Sequence, residues 1–163
     1  MNVASIITHA KFAAIIMGAL AIAGCAKQQS DDQTGALART AAPGSPQDFV
    51  VNVGDRVFFE TDSSELTPQG RETLNKQAQW LNLYNRYAFT IEGHADERGT
   101  REYNIALGAR RSQTAREYLI SHGVSAQRIH TISYGKERPV AVCNDISCWS
   151  QNRRAVNVLN QSS

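Results

Sequence analysis

The chain has 163 residues, with 17 Lys and Arg against 15 Asp and Glu and a formal charge of +2. That length suits one ordinary domain plus a targeting segment or tail, and two full domains would be crowded. So even a charge balance excludes the basic field that nucleic-acid binding draws on, while an ordinary apolar share allows a buried core.

The only long apolar run opens the chain. Its uninterrupted part, Phe12 to Ala23, is too short to span a bilayer but fits the h-region of a signal peptide. Lys11 supplies the positive n-region, and no Asp or Glu precedes Asp31. Ile22-Ala23-Gly24-Cys25 resembles a bacterial lipobox, which implies cleavage after residue 24 and lipid on Cys25. An ordinary secretory signal with an incidental cysteine is the alternative. A diacylglycerol and an N-acyl chain on Cys25 would anchor the protein firmly, since one chain binds only marginally. No other cofactor is expected. Ala26 stands where an inner-membrane retention signal would place Asp, which favours the outer membrane. From Ala26 to about Pro46 the chain is mostly Gln, Ser, Asp, Thr, Gly, Ala and Pro, with Leu37 its one large apolar residue, a composition that reads as a flexible tether spanning roughly 25 Å on average.

The folded domain is expected over residues 47–163. Arg56-Val57-Phe58-Phe59 is a short strand followed by turn-rich Thr61-Asp62-Ser63-Ser64. Thr67-Pro68 is an N-cap with Pro at the first helical position, and Leu74, Ala78 and Leu81 recur at helical spacing to about Leu83. Tyr87 to Gly93 alternates as a second strand. Asn104 to His122 is a second helix, packing through Gly108, Ser112, Ala115 and Leu119, with Gly123 at its C′ position. Arg128 to Ser133 is a third strand. A fourth, Ala155 to Leu159, is reached through a loop from Gly135 to Arg154. The fold class is α/β, ordered βαβαβ then β: a small mixed, mainly parallel sheet paired through helical crossovers, whose last strand can run antiparallel.

Four segments carry a family resemblance. They are Gly93-His94-Ala95-Asp96-Glu97-Arg98-Gly99-Thr100, Tyr103 to Arg111, Ser133 to Pro139 and Gln151 to Val156. In this order and spacing they closely resemble the OmpA-like peptidoglycan-binding domain, and most of all its lipoprotein branch. The resemblance covers about Val57 to Leu159 and implies non-covalent capture of the diaminopimelate residue of the peptidoglycan stem peptide, coupling outer membrane to cell wall. It further implies TolB and the other Tol proteins as partners, with a role in envelope integrity and division.

The free end of diaminopimelate carries an ammonium and a carboxylate on one carbon, so a receptor needs an anion and a bidentate cation a few ångströms apart. Asp96 and Arg111 resemble the family's pair. Asn104, Leu107 and Arg111 are spaced at 0, 3 and 7 along one helix face, and Asp62 resembles a further pocket position. Thr61 stands where relatives carry an apolar residue, and Ser112 replaces the usual Ala. Taken alone, Asp96 reads as a helix-capping carboxylate and Arg111 as a solvated helix residue; the surrounding motifs reverse that weighting.

Other residues bound the alternatives. His94 beside Asp96 raises the rival of an envelope hydrolase, but no ligand cluster, nucleophile elbow or phosphate loop accompanies it, so the chain reads as neither an enzyme nor a metal protein. His94 is expected to be structural, bonded to backbone. A motor-stator or porin anchor of the same superfamily would need a membrane-spanning helix or barrel, where the sequence offers only a cleavable signal. Arg110 is expected at the surface or in a salt bridge; of Arg153 and Arg154, one supports the pocket and the other is solvated. Cys143 and Cys148, in an exported domain, are expected to form a disulfide, with free thiols or half a metal site as alternatives. Trp149 is expected to cover that loop.

Overall fold

The computed structural model describes residues 41–160; the signal segment, Cys25 and the greater part of the expected tether lie outside them. The described chain enters through a short helix α1 (Pro46–Asp48) that runs into a π-helical turn, Phe49–Val53. Ser45 caps α1 with its side chain. This entry belongs to the domain, not to the tether. The Gly44 carbonyl accepts from Arg86 Nη2 at 2.7 Å and the Tyr87 hydroxyl at 2.8 Å. Asp48 accepts from the Trp80 indole at 2.8 Å, and Phe49, fully buried, packs 4.9 Å from the Trp80 ring. The small residues before Pro46 hide this docking, because their backbone rather than their side chains makes the contacts.

The elements that follow are β1 (Arg56–Phe58), α2 (Pro68–Leu83), β2 (Phe89–His94), α3 (Arg101–Ser121), β3 (Ile129–Gly135), α4 (Ile146–Asn152) and β4 (Arg154–Leu159). Thr67 caps α2 as its sequence predicts, its hydroxyl accepting from the Gly70 N–H at 3.0 Å. Helix α3 begins one turn before Asn104, capped by Thr100, whose Oγ1 accepts from the Tyr103 N–H at 3.2 Å. Residue 123 is the expected glycine with positive φ, 89°.

The four-stranded sheet has the order β1-β4-β2-β3. β2 and β3 pair in parallel, whereas β4 pairs antiparallel with both β1 and β2. Three strands therefore run one way and the last runs against them, as expected of a mixed α/β sheet. The expected pairing of β1 with β2 is not made, because β4 inserts between them. Its short apolar face explains the choice: Ala155 pairs with Val57 on one side and Gly93 on the other, placing buried residues opposite buried residues.

The core lies between one sheet face and α2 and α3, where Phe89, Ile91, Leu74, Leu81 and Leu119 are essentially inaccessible. One close approach sets the position of α3. A Cβ built on Gly93 would overlap the Gly108 carbonyl, and one built on Gly108 would stand 2.8 Å from the Gly93 oxygen, so only glycines let helix and strand backbones meet here. Ser133 Oγ adds a hydrogen bond to the Ile105 carbonyl at 2.7 Å. The first turns of α3 are thereby clamped over the C-terminal ends of β2 and β3, the end of a sheet where open α/β folds place ligands.

Helix α4 lies inside the segment expected to be a loop. Seven residues of ISCWSQN composition are too short and too rich in poor helix formers to hold a helix alone. Tertiary ties supply the stability. Cys143 and Cys148 are joined by a disulfide, with Cα atoms 5.6 Å apart. Asp145 caps the helix through Ser147 N–H at 2.8 Å, and buried Asn152 bonds the Val140 N–H and the Ala141 carbonyl, each at 2.8 Å.

Candidate functional site

A cavity of about 260 Å³ opens between the turn after β1, the loop after β2 and the first turns of α3, lined by Thr61, Asp62, Asp96, Arg98, Gly99, Tyr103, Asn104 and Leu107. Four of the five residues expected to bind, Asp62, Asp96, Asn104 and Leu107, meet on its walls. A larger groove of about 640 Å³ runs beside β1 and the start of α2. It contains none of those four, so the charged cavity is the better candidate although it is smaller.

Asp96 is the anion of the site. It is buried, and Arg98 grips it with a fork: Nη2 donates to Oδ2 at 2.7 Å and Nε to Oδ1 at 3.1 Å. The Arg98 backbone N–H adds a bond to Oδ1 at 3.2 Å, and buried Arg153 donates to Oδ2 at 3.3 Å. Burial pushes the carboxyl upward, but the Arg98 bonds and charge, with the Arg153 bond, outweigh it and hold the acid below the usual carboxylate range. Asp96 is thus ionised at neutral pH and ready to accept from a cation.

Arg111 takes a different position from the expected one. It leaves the Asn104 and Leu107 face at the next turns, but its side chain is fully buried and absent from the cavity lining. Its Nε donates to the Ser63 carbonyl at 2.8 Å, Nη1 to the His94 carbonyl at 2.8 Å and Nη2 to the Glu60 carbonyl at 3.1 Å. Burial pushes the guanidinium down to about 10, against the attraction of the Asp96 charge and with the repulsion of Arg153. It still carries its charge at pH 7. Arg111 therefore pins the Glu60–Ser63 turn to the end of β2 and sets a positive charge within electrostatic reach of Asp96 and Asp62, and it does not line the cavity. Helical spacing locates its Cα but not the reach of so long a side chain.

The walls are fixed in the same way. Asn104 is buried, and its Nδ2 donates to the Arg98 carbonyl at 2.7 Å. Asp62 takes a left-handed conformation, φ 55°, which Asp tolerates better than most residues. That turn directs its carboxylate to a hydrogen bond from the Tyr103 hydroxyl. Thr61 Oγ1 accepts from Arg98 Nη2 at 3.4 Å, so the residue that departs from the family pattern is a polar wall. Ser112 bonds only the Ala109 carbonyl, at 3.0 Å, within its own helix.

The expectations for neighbouring residues divide. His94 is buried, but neither ring nitrogen has a hydrogen-bond partner, so it does not bond to backbone; Glu92 Oε2 stands 3.6 Å from Nε2 and the Tyr134 ring packs at 5.6 Å. Its ring lies outside the cavity lining, which removes the pairing with Asp96 that a hydrolase would need. Arg153 supports the pocket, also donating to the Phe59 carbonyl at 3.0 Å. Neither arginine of the pair is solvated as expected of one of them: Arg154 too is buried, with carbonyl partners Asn152 at 3.3 Å and Arg138 at 3.2 Å, because β4 is an interior strand. Arg110 is exposed. Trp149 does more than cover its loop: its indole donates to Glu97 at 3.0 Å and its ring lies 4.3 Å from the Arg98 guanidinium. The cavity roles of Arg98, Gly99 and Tyr103 were not anticipated, and the one signal for Arg98 was its position two residues beyond Asp96.

Fold and site together define a small α/β domain whose strand ends hold a carboxylate and a cation side by side. The OmpA family model matches residues 58–155. The chain is 61% identical over 148 residues to the peptidoglycan-associated lipoprotein of Mesorhizobium japonicum, covering 88% of each chain. It is 63% identical to that of Agrobacterium fabrum, covering 86% of this chain and 82% of the relative. The crystal structure of the peptidoglycan-associated lipoprotein from Burkholderia pseudomallei superposes with a TM-score of 0.67 at 36% identity, covering 71% of this chain and 100% of that one. The chain belongs to the OmpA family and, within it, to the peptidoglycan-associated lipoproteins. As a member it is an envelope-associated lipoprotein rather than an enzyme.

Proposed function

We propose that this protein binds peptidoglycan without covalent chemistry, seating the free end of a diaminopimelate side chain in the Asp96 cavity. The observation that carries the reading is the ionised, buried Asp96 facing a cavity with Asp62, Asn104 and Leu107 on its walls. The carboxylate receives the ammonium, and Leu107 packs against the methylene stem. The positive charge of buried Arg111 favours the attached carboxylate. Stem peptides with an unamidated diaminopimelate end supply that pairing on one carbon.

The same proposal assigns the chain's first segment to anchoring. Residues 1–24 are the signal peptide, Cys25 carries the lipid, and the outer membrane is the destination. Lipid at one end and wall at the other make the protein a tether, and its resemblance to the Tol-linked branch proposes TolB and the other Tol proteins as partners in envelope integrity and division.

Titration with a soluble diaminopimelate stem peptide, followed by backbone NMR, tests the site. Saturable shifts confined to the 61–64 turn, the 94–100 loop and the start of α3 are expected. An unchanged spectrum at millimolar peptide contradicts the reading. For the anchor, labelled palmitate is expected in the wild type and absent from Cys25→Ser; label retained in the variant contradicts it.

A further inference from the structure

The free protein already holds two of its own cations on Asp96, buried Arg153 and the more exposed Arg98, and only the second stands on the cavity side. The Arg98 fork covers both carboxylate oxygens, at 2.7 and 3.1 Å, so a ligand ammonium can reach Asp96 only when that fork moves away. The backbone of residue 98 cannot make the move. Its N–H is bonded to Asp96 at 3.2 Å and its carbonyl to Asn104 at 2.7 Å. The side chain can. It is 41% exposed, and in the guarding position its guanidinium stacks on the face of Trp149 at 4.3 Å. Trp149 is itself held by Glu97 at 3.0 Å and by the disulfide that pins α4.

Resting on the diaminopimelate reading, we propose that Arg98 is a further specificity-determining residue, guarding Asp96 in the free protein and swinging on binding to take the ligand's carboxylate. Among the described residues Arg98 is the only Arg or Lys on the cavity lining, since Arg111 is buried with its donors on backbone carbonyls. Counting ion pairs gives the selectivity. With a zwitterionic end, the Asp96–Arg153 pair stays and the pair between Asp96 and Arg98 is exchanged for two, Asp96 with the ammonium and Arg98 with the carboxylate. With a bare amine, as in a lysine-type stem peptide, one pair replaces one pair and Arg98 is left without a partner. The site thus gains on binding only when both charges arrive together.

The test is calorimetric titration of the full-length protein, in detergent, with two stem tripeptides that differ only in carrying diaminopimelate or lysine at the third position. The wild type is expected to prefer the diaminopimelate peptide by about tenfold to a hundredfold, the worth of a charge-assisted hydrogen-bonded pair. In Arg98→Ala the preference is expected to fall to about threefold or less, with the lysine peptide bound no more weakly than before because Asp96 is unguarded. Arg98→Lys is expected to recover part of the preference, having the charge without the fork. Damage to the fold alone would weaken both peptides together. If Arg98→Ala keeps the wild-type ratio, Arg98 is at most a lid and the proposal is overturned. If the wild type binds neither peptide, the diaminopimelate reading itself falls and takes this one with it.

Discussion

His94 makes the stability of the domain depend on pH above the range in which Asp96 contributes. Its ring is buried and unpartnered. Burial, followed by the charges of Arg154, Arg138 and Arg56, pushes it down to about 4 from an ordinary 6.5. A base with a lowered folded-state value protonates first in the unfolded chain, so stability is complete above pH 6.5 and falls as pH drops toward 4. Between pH 7.5 and 4.5 the two values give a loss of about 2–3 kcal/mol. Asp96, whose value is lowered, contributes its own loss only below the ordinary carboxylate range. Urea unfolding at the two pH values measures the difference, and His94→Leu, close in volume and unable to titrate, is expected to remove the greater part of it. A wild type equally stable at both values, or a variant that loses as much as the wild type, would refute the reasoning.

Gly108→Ala places a methyl against the Ser133 hydroxyl and the Gly93 carbonyl, and thermal unfolding is expected to show a loss of about 3 kcal/mol, at the upper end for overpacking. Arg111→Met strips the donors from three carbonyls. Urea unfolding is expected to fall by about 3–5 kcal/mol, with ligand binding lost because the 60–63 turn is released. Cys148→Ser opens the loop closed from Cys143 and is expected to cost about 2 kcal/mol in denaturant, the loop-entropy value for so short a ring.

The elements with strong periodicity or caps were legible from sequence. Thr67-Pro68 marked the start of α2, and the alternation of Phe89 and Ile91 marked β2. What escaped depended on tertiary context. β4 displaces the expected β1–β2 pairing because residues far apart in sequence compete for one strand edge, and α4 exists because a disulfide and Asn152 hold it. At the site, helix spacing brought Asn104 and Leu107 to one wall, since both are short and point where their Cα lies. The two arginines were not resolvable that way. The long, freely rotating stem of arginine lets Arg111 turn inward to carbonyls and lets Arg98 reach back over Asp96, and spacing alone does not choose between those paths.

Wall binding through Asp96 is tested most directly by co-sedimenting the purified protein with purified sacculi, comparing wild type with Asp96→Ala after circular dichroism has established that both are folded. The account predicts that the wild type pellets with the wall and the variant stays in the supernatant. A folded Asp96→Ala that pellets as completely as the wild type would contradict it.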